Sequence, residues 1–335
     1  MTSSNPVRQL GKNGPRIPAL GFGAMGLSAF YGQLKPEEES KALLKKVLDL
    51  GVQHIDTAIL YGAGKNESLI GTVLSDPEYR KKCFIATKFG AMYDPEGKMY
   101  LSGKPEVVRQ WCEDSLKRLQ VDSIDLYYQH RVDRNIPIEE TWKELAALQK
   151  EGKIKHLGIS EATADEIRKA HAVAPISALQ IEFSLWTPDI RTNGILDTCR
   201  ELGIAIVAYS PLGRGFLTGA YKPEDFKQGD FRSINPRFQK EAFDENMKLV
   251  NAVKEIATKK NCSAGQLALA WVLAQGDDFF AIPGTKNEKY LLENVGSTEV
   301  KLSAEDLKEI DAIVEKIKVV GMRYPAPSNV VGTAF

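Results

Sequence analysis

The chain has 335 residues, 43% of them hydrophobic, which is enough for a large core. Its 44 basic and 44 acidic side chains cancel, removing the electrostatic footprint expected for a nucleic-acid or anionic-membrane partner. No apolar run has bilayer length, MTSSNPVRQL lacks a signal-peptide core, and the cysteines (Cys83, Cys112, Cys199, Cys262) and four histidines show no metal-ligand spacing. A cytoplasmic protein with reduced thiols and no metal is therefore expected.

In chain order, VRQLGKNGPRIP reads as a small hairpin turning at Asn13-Gly14. From there short apolar strands alternate with amphipathic helices. PALGFG precedes a helix over about residues 36–50, VQHID one over 66–74, CFIATK one over 105–119, and SIDLYYQH one over 138–150. IKHLGIS precedes 164–171, SALQIEF precedes 191–202, IAIVAYSP precedes a long loop and helices across 245–275, and FFAIPG precedes 288–295. The strands are continuous apolar runs, as buried parallel strands are. Eight such units predict a closed (β/α)8 barrel, with a doubly wound open sheet as the competing α/β architecture. SAEDLKEIDAIVEKI reads as a capped extra helix, and the tail from residue 318 as irregular. No linker divides the chain, so one domain over 1–335 is expected.

GFGAMG matches a dinucleotide-binding glycine pattern but does not open a helix, as that pattern requires. The better chemistry lies at the carboxyl ends of the strands, which form the active face of a barrel. Asp56 ends VQHID, Tyr61 follows it among glycines, Lys88 ends IATK and His130 ends LYYQH. Singly, Asp56 could cap a turn, Lys88 reach solvent, and Tyr61 or His130 pack. A lysine closing an apolar strand is costly unless paired, and an aspartate at the adjacent strand end offers the pair.

HIDTAILYGAGKNE, IATK and DLYYQH resemble the catalytic segments of the aldo-keto reductases. GKIKHLGIS, LQIEFSLW, AYSPLGRGFLTG and IPGTKNEKYLLENV resemble the cofactor segments of that family, in order, and the resemblance spans nearly the whole chain. GFGAMGLSAFYG and YYQHRVD are similar to the branch of pyridoxal reductases and plant auxin-induced-type proteins. The resemblance implies NADPH-dependent reduction of aldehydes to alcohols, pyridoxal-like or aryl aldehydes among them. Tyr61 would be the proton donor, Lys88 held by Asp56 would stabilise its phenolate, and His130 would orient the carbonyl. It further implies that Ser160 and Gln180 hold the nicotinamide carboxamide and that Tyr209 stacks on the nicotinamide. Gly23 would lie at the cofactor, Ser210, Leu212 and Gly213 would follow the pyrophosphate, and Gly284, Thr285 and Lys286 would form the phosphate-binding turn, with Lys286, or secondarily Lys289, at the 2′-phosphate, and Glu293 and Asn294 at the adenine. Glu161 departs from the asparagine common in the family, and Tyr290 from an arginine. Phe30, Tyr31, Tyr93 and Trp186 are the expected substrate walls, with the loop 211–239 and the tail after 318 closing over them. A non-catalytic subunit of the same fold and a Schiff-base aldolase using Lys88 are the competing functions.

Overall fold

The computed structural model describes residues 5–227 and 229–325. Eight parallel strands form its centre: β1 (Phe22–Gly23), β2 (His54–Asp56), β3 (Phe84–Phe89), β4 (Ile124–Gln129), β5 (Ile154–Ser160), β6 (Ile176–Glu182), β7 (Ala205–Tyr209) and β8 (Phe279–Ala281). Each pairs with its sequence neighbour, and a parallel bridge between Leu20 and Ala281 joins the last strand to the first. The Ala281 amide donates to Ala19 O and the Gly21 amide to Ala281 O, so the sheet closes and the barrel reading holds over the open sheet. The strands are buried on both faces because helices cover the outside, and that is why their sequences do not alternate.

Helices Pro105–Leu119 and Ile138–Lys150 coincide with the expected spans, and Ala304–Lys316 begins with the capping box of Ser303 and Asp306. Others differ locally. The expected 191–202 helix starts only at Ile195, because Gly194 takes φ +83° and separates it from a 3-10 turn over Asp189–Arg191. The 245–275 region is two helices, Lys240–Lys259 and Ala264–Leu273, broken where Asn261 turns left-handed and Ser263 caps the second with Gln266. The N-terminal hairpin pairs Val7–Gln9 with Arg16–Pro18, but its turn spans Gly11 to Gly14 rather than centring on Asn13-Gly14. This hairpin closes the amino-terminal end of the barrel: Arg8 donates to the carbonyls of Leu273, Gly276 and Phe279, and the Lys12 amide donates to Gly203 O. A second hairpin, Ala91–Tyr93 with Met99–Leu101, and a short helix, Pro77–Lys82, were not anticipated, although DPEG carries an evident turn signal. Among the described residues no helix is long and apolar enough to cross a membrane.

One buried polar group on β2 has a consequence for stability. Among the described residues neither ring nitrogen of His54 has a partner, and burial, opposed by Asp56 and reinforced by Lys88, pushes the ring down to about 4. The folded chain thus keeps His54 neutral where an unfolded chain, titrating near ~6.5, takes a proton. Stability is full above that value and falls as pH drops from it toward about 4, by on the order of 3 kcal/mol. His54→Leu should flatten this stretch of a plot of denaturation midpoint against pH. Parallel curves for the variant and the wild type would show that another group carries the dependence.

Candidate active site

The carboxyl ends of β2, β3 and β4 bring the four anticipated catalytic side chains together. Asp56 is the last residue of β2, pairs in register with Ala86 of β3, and lies beside Lys88 two residues further on. Lys88 is fully buried, and Nζ donates to Asp56 Oδ1 at 2.5 Å, to Thr57 O at 2.8 Å and to Tyr61 Oη at 3.3 Å. All three ammonium donors are spent. Burial pulls the lysine down, but Asp56 and Tyr61 together outweigh it and hold the ammonium above its ordinary value. The pair survives burial because each partner is satisfied, Asp56 Oδ2 also accepting from Gln180 Nε2 at 2.7 Å.

Tyr61 reaches this group from the loop after β2. Its ring lies 5.0 Å from Lys88 Nζ, edge-on to His130 at 6.0 Å and to Phe30 at 6.4 Å between centroids. Burial raises the phenol above its ordinary value, and Lys88 offsets only part of that rise. Lys88 thus favours the phenolate, as expected, but burial outweighs it, and the hydroxyl stays protonated across the neutral range. His130 follows β4, and burial, with Arg131 and Lys88, pushes it well below its ordinary value, so the imidazole is neutral there. A loaded hydroxyl and a neutral imidazole can both donate a hydrogen bond to an oxygen between them.

The residues around the other half of the mouth differ in how closely they converge. Ser160 ends β5 with its hydroxyl buried and, among the described residues, unpartnered, an orphan that an amide group would satisfy. Gln180 is on β6, its amide nitrogen engaged by Asp56. Tyr209 ends β7 and donates to Glu161 Oε1 at 2.8 Å. Gly23 and Gly284 meet backbone to backbone: a Cβ on Gly284 would lie 2.5 Å from Gly23 O, so their smallness serves this contact first. Leu212 and Glu293 converge beside Gly265, Glu293 also accepting from Ser263 Oγ. The Ser210 carbonyl accepts from the Gly213 amide, and a Cβ on Gly213 would strike the Trp186 ring at 2.6 Å. Thr285 and Lys286 precede the helix Glu288–Gly296, where Asn287 accepts from the Lys289 amide and a helix N-terminus favours an anion, and Asn294 is buried within that helix. Lys286 Nζ donates to the carbonyls of Tyr31 and, at 2.9 Å, Gln33, leaving one donor. Lys289 lies over the ring of the exposed Tyr290.

The anticipated substrate walls separate. Phe30 joins an apolar cluster around Tyr61 that includes Ala58, Leu60, Ala91, Met25, Met99 and Leu101. Tyr31 lies under Arg232 at 5.2 Å, and Tyr93 is exposed on the second hairpin. Trp186 is not an open wall: it is buried, stacked on Phe216 at 4.4 Å and edge-on to Phe238.

Several contacts at the mouth were not read from sequence. Glu161 is buried and accepts from Arg323 Nη2 at 2.8 Å, from Tyr209, and from the Glu182 amide. Burial raises its carboxyl, but Arg323, Arg131 and these hydrogen bonds prevail and hold it below its ordinary value. Glu182, at the end of β6, pairs with Arg214 at 3.3 Å and Arg323 at 3.8 Å. The tail is thereby tied across the mouth: Arg214 and Asn235 donate to Arg323 O, Arg237 to Gly321 O, and Asn246 brackets Val320. The tail beyond residue 325 lies outside the described residues. Of the seven non-glycine residues with positive φ among those described, five (Phe30, Ala63, Glu161, Ser210 and Arg214) sit in loops at this mouth. Strain of this kind collects at functional sites.

Residues 19–315 match the Aldo/keto reductase family. The chain is 47% identical over 326 residues to Aldo-keto reductase yakc [NADP(+)] of Schizosaccharomyces pombe, covering 96% of this chain and 95% of that one. It is 48% identical over 319 residues to Probable aldo-keto reductase 1 of Glycine max, covering 95% and 91%. Among solved structures, the glycerol dehydrogenase AKR11B4 from Gluconobacter oxydans superposes with a TM-score of 0.85 at 29% identity, covering 96% of this chain and 98% of that one. A thermostable aldo-keto reductase in complex with the inhibitor epalrestat superposes at 0.75 with 30% identity, covering 92% and 99%.

Proposed function

Because the chain belongs to the aldo/keto reductase family, we propose that it is an NADPH-dependent reductase of aldehydes, pyridoxal-like or aryl aldehydes among them, acting as one catalytic domain. The observation that carries this reading is the buried run Asp56–Lys88–Tyr61, with bonds of 2.5 Å and 3.3 Å, edge-on to a neutral His130. When bound, NADPH supplies the hydride. The chain's own residues manage the carbonyl oxygen, which gathers negative charge as its carbon is reduced. Tyr61 gives that oxygen its proton, and the ammonium of Lys88 stabilises the phenolate left behind. Asp56 keeps Lys88 charged, which also argues against an aldolase needing a neutral amine. His130 orients the carbonyl by a hydrogen bond.

The surroundings fit the cofactor named for the Schizosaccharomyces pombe relative. The orphaned Ser160 hydroxyl suits a carboxamide, and the Asn287-capped helix end with Lys286 suits a phosphate. Following NADPH oxidation against a panel of aldehydes and ketones tests the proposal. A protein that binds NADPH and turns over none of them would be the non-catalytic subunit instead.

Lys286→Glu tests the phosphate position. A charge-assisted contact contributes about 1.5–3 kcal/mol, so NADPH affinity should fall about 10- to 150-fold while NADH affinity changes little. Equal loss for both cofactors, or none, would move the 2′-phosphate elsewhere, with Lys289 next to test.

A further inference from the structure

Arg131 directly follows His130, is only 8% exposed, and has no carboxylate within ion-pair distance among the described residues. Among the described residues its guanidinium makes one hydrogen bond, from Nη1 to the carbonyl of His130 at 2.7 Å, while Nε is buried with no partner. The other arginines of the mouth are unlike it. Arg323 and Arg214 each have an ion pair, and they engage both carboxylates nearby, Glu161 and Glu182. Arg131 reaches neither within ion-pair distance, although Glu161 is close enough to raise it, as are Tyr209, Tyr324 and Tyr61. Its charge in turn bears on Tyr61, His130 and Tyr209. The guanidinium, anchored on the His130 carbonyl, is thus near enough to act on Tyr61 and on Tyr209.

A buried guanidinium is costly to leave without a counter-charge. Its planar fork matches a carboxylate, donating two parallel bonds. Resting on the carbonyl-reductase reading above, we infer that Arg131 is a specificity residue that binds a carboxylate on the substrate, so that the preferred substrates are aldehydes bearing an acid group near the carbonyl. The charge on the substrate then completes an ion pair that the protein leaves open, while Tyr61 and His130 meet the carbonyl oxygen.

The test uses the wild-type enzyme with NADPH and a matched pair, 4-carboxybenzaldehyde and 4-methylbenzaldehyde. The carboxylated aldehyde should have the higher kcat/KM by at least ~10-fold, the scale of one charge-assisted contact, and chiefly through KM. Arg131→Met should bring the ratio close to one, and Arg131→Lys should keep part of it. Equal kcat/KM for the two aldehydes in the wild type overturns the inference and leaves the reductase reading standing. Turnover of neither aldehyde, nor of any carbonyl in the panel, by a wild type that binds NADPH overturns the reductase reading and this inference with it. Loss of NADPH affinity in Arg131→Met by the same factor as the loss for 4-carboxybenzaldehyde assigns the arginine to the cofactor and also overturns it. Should Arg131→Met fail to fold, the wild-type pair and Arg131→Lys decide the matter.

Discussion

Tyr61→Phe is expected to lower carbonyl reduction by roughly 100-fold or more, the scale of general acid catalysis, with NADPH affinity nearly unchanged. The variant keeps the ring that packs against Phe30 and His130 and removes only the hydroxyl that Lys88 touches at 3.3 Å. The phenol is held protonated by burial in the resting site, as the proposed proton donor must be. Fluorescence titration with NADPH, beside single-turnover oxidation with an aldehyde, reads both quantities. Full turnover in the variant would remove the proton-donor role from Tyr61. A loss confined to cofactor affinity would put Tyr61 at the nicotinamide and send the search for the acid to His130.

The second large effect is on stability. Asp56→Ala strips a fully buried ammonium of its counter-ion and leaves the Gln180 amide nitrogen without its acceptor. Breaking a buried pair from one side costs about 3–5 kcal/mol, because the remaining charge has no water to turn to. Asp56→Ala should therefore lower the urea midpoint substantially and abolish reduction. The double variant Asp56→Leu with Lys88→Met should recover much of the stability, since apolar replacement of a buried pair is often neutral, but none of the activity. A single variant as stable as the wild type would mean that Lys88 sheds its proton or finds another partner. Recovery of activity in the double variant would separate the pair from the chemistry altogether.

The architecture was legible because the information that specifies it is local and periodic. Eight apolar runs of strand length, each followed by a helical pattern, lead to parallel strands with helices outside, and helices such as Ile138–Lys150 end where the pattern ends. The grouping of Asp56, Tyr61, Lys88 and His130 was legible for a related reason. In a barrel, position along a strand decides position at the mouth, so Asp56 and Lys88 at adjacent strand ends had to be neighbours. Element boundaries shifted where one residue's backbone preference overrode the pattern, as at Gly194 and Asn261.

What the tertiary structure alone decided concerns partners distant in sequence. Glu161 and Arg323 are separated by 162 positions, and nothing near Arg323 in an aperiodic tail marks it as the counter-ion of a strand end. Trp186 reads as a loop aromatic, yet Phe216 and Phe238 from a later loop bury it. The direction of the Tyr61 shift likewise depends on how completely the mouth is covered, because desolvation there exceeds the field of Lys88. Arg131 stands in plain view beside His130, but that no carboxylate lies within ion-pair distance among the described residues depends on every side chain that folding brings near it. Local sequence sets backbone periodicity and which residues end each strand; charge balance and desolvation at the mouth are sums over the folded surroundings, and only the closed barrel with its tail drawn across determines them.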